Sequence, residues 1–147
     1  MSNSLFPAPR KEHLLLLNAY TQSYGLSLTP EQASMLIREQ EESLMRCGRV
    51  DFDGGALPRL ARAFASSSYI EPREWPQTLG RLCDLFYAFK NETRDALSDE
   101  ELIYAMTTLF DGPCGGSLHA LAALDSHALM HAALGTPDEQ EDACENP

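Results

Sequence analysis

The segment DGPCGGS, residues 111–117, sets a cysteine between two helical patterns. A thiol becomes a nucleophile when its pKa falls, and the free backbone N–H groups of a helix start can lower it. Cys114 stands three residues before Ser117, which reads as a helix cap, and His119 is close in sequence. That layout suits a redox-sensitive thiol or a nucleophile. The same residues also make a tight turn, because glycine takes unusual backbone angles and Pro113 halts the preceding helix. No partnered base or acid can be placed beside Cys114 from sequence. The turn is the preferred reading, and a reactive thiol in a pocket is the alternative.

Three other groups could do chemistry. His127 and His131 stand four apart, as two zinc ligands on one helix face would. Their segment reads HALMH and lacks the Glu of an HExxH metalloprotease. Projected at 100° per residue, they fall opposite the apolar side formed by Leu118, Leu121, Ala122, Leu129 and Ala132, and His119 is displaced from it too. Solvent exposure explains all three, and no metal is expected. Asp125 lands amid that apolar side. A buried carboxylate must be paired, hydrogen-bonded or protonated, so an internal ion pair with Arg59, Arg62, Arg81 or Lys90 is expected, with a ligand pocket as the alternative. DFDGG suggests calcium, but in a loop starting at Asp51 the twelfth position is Arg62, where a bidentate Glu is required. The motif fails. There is no Walker phosphate loop, no GxGxxG and no GxSxG.

Composition bounds the rest. A chain of 147 residues with 44% hydrophobic residues is large enough for one domain with its own core. The net charge of −11 is uneven: five acids stand between Asp138 and Glu145 without a Lys or Arg, leaving −6 for residues 1–137. An acidic chain with only two lysines lacks the cationic surface that phosphate backbones need, so neither nucleic acid nor an anionic membrane is expected as a partner. Arg46, Arg49, Arg59 and Arg62 form a local cluster, read as pairing with Asp51, Asp53 and nearby glutamates. No apolar run reaches the length of a membrane span, and the first residues show no secretory signal, so the expected location is cytoplasmic. Cys47, Cys83, Cys114 and Cys144 show no close pairing, which argues against a disulfide framework.

The elements that must position these residues read as helical nearly throughout. A first helix is predicted from Arg10 to Tyr24, stopped by Gly25. In LTPEQ, Thr29 caps, Pro30 fits the first turn and Gln32 completes a capping box. Ala33, Leu36, Ile37, Gln40 and Leu44 follow on one side, and Gly48 ends that helix. An irregular link near residues 48–56 precedes a short helix from Leu57 to Ala65. The connector SSSYIEPREWP contains two helix-breaking prolines. A helix from about Pro76 to Arg94 aligns Leu79, Leu82, Cys83, Phe86 and Phe89. LSDEEL restarts the helix with Ser98 as cap and Glu101 three residues on. The last helix is predicted from Ser117 to Leu134. Trp75 reads chiefly as an anchor at the core's rim, and Tyr69, Ile70 and Trp75 are the candidate interaction surface.

Three segments together, GRVDFDGGALPRLARAFASSSYI, LFYAFKNET and LSDEELIYAMTTLFDGPCGGSLHALA, resemble a small bacterial family, chiefly Gram-positive, known only as a domain of unknown function. The resemblance covers most of residues 10 to 134 and implies a compact helical protein with no activity to carry over. It also implies that Gly48, Gly54, Gly55, Phe89, Lys90, Asn91, Glu92, Asp111 and Gly116 belong to the family's shared pattern. Lys90 and Glu92 then become candidates to line a cleft, against ordinary ion pairing between helices.

The expected architecture is an all-α single-domain bundle of about five to six helices, with a flexible segment 1–9, a helical domain 10–135 and a disordered acidic tail 136–147. The expected role is non-enzymatic: binding another protein, or self-association, with no cofactor. The alternative is a small-molecule- or metal-binding protein or enzyme using a pocket near Cys114 and Asp125.

Overall fold

In the computed structural model the described residues are 7–50 and 55–135. The expectations for residues 1–6, for Asp51, Asp53 and Gly54, and for the acidic tail with Cys144 lie outside them. Every regular element among the described residues is helical: α1 (Pro7–Leu16), α2 (Asn18–Thr21), α3 (Pro30–Cys47), α4 (Leu57–Phe64), α5 (Trp75–Glu92), α6 (Asp99–Asp111), α7 (Leu118–Ala122) and α8 (Ser126–Leu134). Six of these have eight residues or more, while α2 and α7 are single turns. The all-α architecture and the approximate helix number agree with the sequence reading. Among the described residues no helix is long and apolar enough to cross a membrane.

Local chemistry explains most boundaries. Thr29 Oγ1 accepts from Gln32 N at 3.1 Å while Thr29 N donates to Gln32 Oε1 at 2.9 Å, the reciprocal capping box that starts α3. Ser98 and Glu101 repeat the arrangement at the start of α6, at 3.0 and 2.9 Å. Gly48, at φ +68°, closes α3 in the left-handed conformation that other residues resist.

Two boundaries differ from the sequence reading. The predicted helix from Arg10 to Tyr24 starts earlier, at Pro7, and breaks at Leu17, whose N–H bonds back three residues to Leu14 O at 3.2 Å. Asn18 then grips Leu28 from both sides, accepting its N–H at 2.9 Å and donating to its carbonyl at 3.0 Å, which folds the chain back at once. The predicted helix from Ser117 to Leu134 is two helices. The first closes with three-residue bonds from Ala123 and Leu124, and Asp125 takes an extended conformation (φ −104°, ψ 179°) that starts the second.

The described residues fall into two compact units, one up to Tyr87 and one from Ala88. In the first, α1 packs on α3 and α4, and α2 packs on α4. Leu14, Leu36, Leu60, Phe64, Leu79, Leu82 and Phe86 are buried there. A polar chain runs through this core: Arg10 donates to Gln40 Oε1 at 3.4 Å, and buried Gln40 donates to the Tyr87 hydroxyl at 3.0 Å. Arg10 also pairs with Glu41. In the second unit α6 packs on α7 and α8, burying Leu102, Met106, Phe110, Leu121 and Leu129.

Candidate functional site

Cys114 lies in the turn after α6. The turn's N–H groups satisfy the last carbonyls of that helix: Gly112 N bonds Thr108 O at 3.0 Å, Cys114 N bonds Leu109 O at 2.9 Å, and Gly116 N bonds Phe110 O at 2.7 Å. Gly115 and Gly116 hold φ of +57° and +82°, open to glycine at little cost. Ser117 caps α7 by accepting from Ala120 N at 3.0 Å. Burial pushes the Cys114 thiol's pKa up, opposite to the shift a nucleophile needs. His119 is exposed. The geometry is that of a helix terminus, with the sulfur as a small packing group.

Asp125 is not a buried member of an apolar stripe. The break before α8 resets the helical register, and the residue is an exposed N-cap whose Oδ1 accepts from Ala128 N at 3.0 Å. The expected internal ion pair of Asp125 is therefore corrected to a capping bond. His127 and His131 lie on α8 with ring centroids 6.2 Å apart. Among the described residues no three His, Cys, Asp or Glu side chains are grouped to hold a metal ion.

Among the described residues of the second unit, Lys90 is a buried charge. Its side chain is only 10% exposed, and Nζ donates to Leu97 O at 3.0 Å and pairs with Asp99 at 2.8 Å and Asp95 at 3.8 Å. This ammonium closes the loop from α5 to α6, where Arg94 and Asp95 both take left-handed backbone conformations, at φ +55° and +58°. Such residues are tolerated where surrounding bonds fix them, and Asp95 N donates to Lys90 O at 2.8 Å. Glu92 is exposed. The arrangement orders a loop.

In the first unit, Arg46 pairs with Asp84 at 3.0 Å, joining α3 to α5. An open groove of about 350 Å³ beside them is lined by Glu39, Glu42, Arg46, Gln77, Gly80, Arg81 and Asp84. Its floor is Gly80, where a Cβ would stand 2.7 Å from Glu39 Oε1. Cys114, Asp125, Lys90 and Glu92 do not line this groove.

The predicted interaction surface needs correction at one residue. Tyr69 is exposed and Ile70 half-buried, but Trp75 is 1% exposed, because its indole fills the core at the start of α5. A more exposed apolar set lies elsewhere. Leu16, Tyr20 and Tyr24 are 75%, 37% and 44% exposed and stand four residues apart, while Leu14, Leu17 and Thr21 point inward. The rings of Tyr20 and Tyr24 meet edge to face at 5.7 Å. Tyr20, through a side-chain hydrogen bond and then its charge, raises the pKa of the Tyr24 phenol. The Arg62 guanidinium sits over the Tyr20 ring, 5.1 Å from its centroid. Sequence reasoning missed this ridge.

Residues 13–134 match the model of a family of unknown function (DUF6323), and the chain belongs to that family. Comparison with curated proteins and with solved structures gives no match.

Proposed function

We propose that this member of the family is a non-enzymatic helical module that binds another protein through the ridge of Leu16, Tyr20 and Tyr24. The observation that supports the reading is the exposure of three large side chains at one spacing, with an arginine over the central ring. Tyr and Arg are the residue types that most often carry binding energy when a contact desolvates them, and a rigid aromatic loses little side-chain entropy on docking.

The test is site-specific photo-crosslinking in the native host. The photoreactive residue benzoylphenylalanine is placed at position 24, and, as control, at position 45, where Met45 is exposed on α3. The expected result is a protein adduct formed from position 24 and not from position 45, and abolished by Leu16→Lys. Equal yields at the two positions, or none at either, overturn the reading.

A further inference from the structure

We infer that the segment docking on this ridge is acidic: it lays apolar side chains along Leu16, Tyr20 and Tyr24 and sets a carboxylate against Arg62. The inference rests on the protein-binding reading above and adds the chemistry of the partner. Two independent observations lead to it, one of charge and one of geometry.

The charge observation is local. Residues 14–30 contain no Asp, Glu, Lys or Arg, in a chain whose net charge is −11. An acidic segment approaching most of this protein meets like charge, which costs association rate and affinity. Glu12, four residues before Leu16, bounds this uncharged stretch at one end, while at the central ring of the ridge the charge within reach is the Arg62 guanidinium.

The geometric observation concerns how that cation is held. Arg62 forms no ion pair among the described residues; its contact is with the face of Tyr20. A guanidinium over an aromatic face is held by its π surface and keeps edge N–H donors for a planar carboxylate. A basic segment would place like charge against Arg62. A nucleic acid would need many more cations than one. A second copy would bring together two chains of −11.

The experiment uses the full chain and the adduct from position 24, with the crosslinked peptide sequenced by mass spectrometry. Expected are a crosslinked partner peptide of net negative charge and a yield that falls about tenfold in Arg62→Glu, with an intermediate yield in Arg62→Lys. Raising salt from about 0.05 to 0.5 M should lower the yield as well. Circular dichroism of Arg62→Glu, a change at an exposed side chain, verifies that the helices remain. A neutral or basic peptide, a peptide from a second copy of this chain, or a yield indifferent to Arg62→Glu and to salt overturns the acidic partner while leaving protein binding standing. No adduct above the position 45 control overturns both.

Discussion

Replacing Lys90 by Met keeps most of the side-chain volume and removes the ammonium, so the cavity contribution is small and the polar contribution is isolated. Lys90 Nζ donates to the carbonyl of Leu97 at 3.0 Å and to Asp99 at 2.8 Å, with Asp95 farther off at 3.8 Å. A hydrogen bond to a charged group is worth about 1.5 to 3 kcal/mol net. The Asp95 contact, to a side chain 54% exposed, adds at most about 1 kcal/mol. Relief of the cost of burying the ammonium offsets part of the loss. The expected destabilisation is about 2 to 3 kcal/mol, or about 1 to 2 M in urea midpoint for a slope near 1.5 kcal/mol/M. Far-UV circular dichroism in urea measures it. A double-mutant cycle with Asp99→Asn should return a coupling of about 1 to 2 kcal/mol. A loss below about 0.5 kcal/mol, or a cycle that closes with no coupling, would refute the view that Lys90 holds the loop between α5 and α6.

Two glycines are expected to respond in opposite directions. Gly80→Ala gains up to about 1 kcal/mol of helix propensity. The new Cβ displaces only the far end of the Glu39 side chain, with Leu36 Cδ2 at an ordinary 3.6 Å, so urea unfolding should show net stabilisation. Gly112→Ala puts its Cβ 2.9 Å from the Thr108 backbone oxygen, which cannot swing aside, and should cost about 1 to 2 kcal/mol. Equal effects at the two sites would contradict the difference between a movable and a fixed neighbour. For Cys114, peptide-level mass spectrometry should show iodoacetamide labelling slower than that of an unfolded-chain thiol at the same pH. Its raised folded-state pKa contributes stability that is fully present below the ordinary thiol pKa and lost as pH rises past about 9. Cys114→Ala should therefore flatten the alkaline fall in stability, and an unchanged profile would count against burial as the cause.

The parts of the fold legible in the sequence are those set by a few neighbouring residues. Thr29 with Gln32 and Ser98 with Glu101 announce their capping boxes at the spacing the bonds require, and Gly25 and Gly48 mark the stops. The break at Asp125 was masked by an apolar pattern that runs across it. Asp-Ser was a local cap signal, but the period of the longer pattern reads through it until tertiary packing of α8 on α6 fixes the register. Among four consecutive leucines, nothing local distinguishes Leu16, exposed, from Leu14 and Leu17, buried. Their difference depends on which side α3 and α4 cover. Trp75 presents the reverse case, an aromatic flanked by Glu74 and Pro76 that long-range packing takes fully inside. The candidate surface was therefore the least legible feature, since exposure of an apolar residue is a property of its distant neighbours.

The amide of Gln40 has a direction. Its oxygen faces the Arg10 guanidinium and its nitrogen faces the Tyr87 hydroxyl. Turned end for end, this buried side chain would set an NH2 against a guanidinium, donor against donor. Sliding α1 by one turn along α3 would strand the same oxygen. One buried side chain therefore acts as an index mark for three helices, rejecting neighbouring alignments that leucine alone would tolerate.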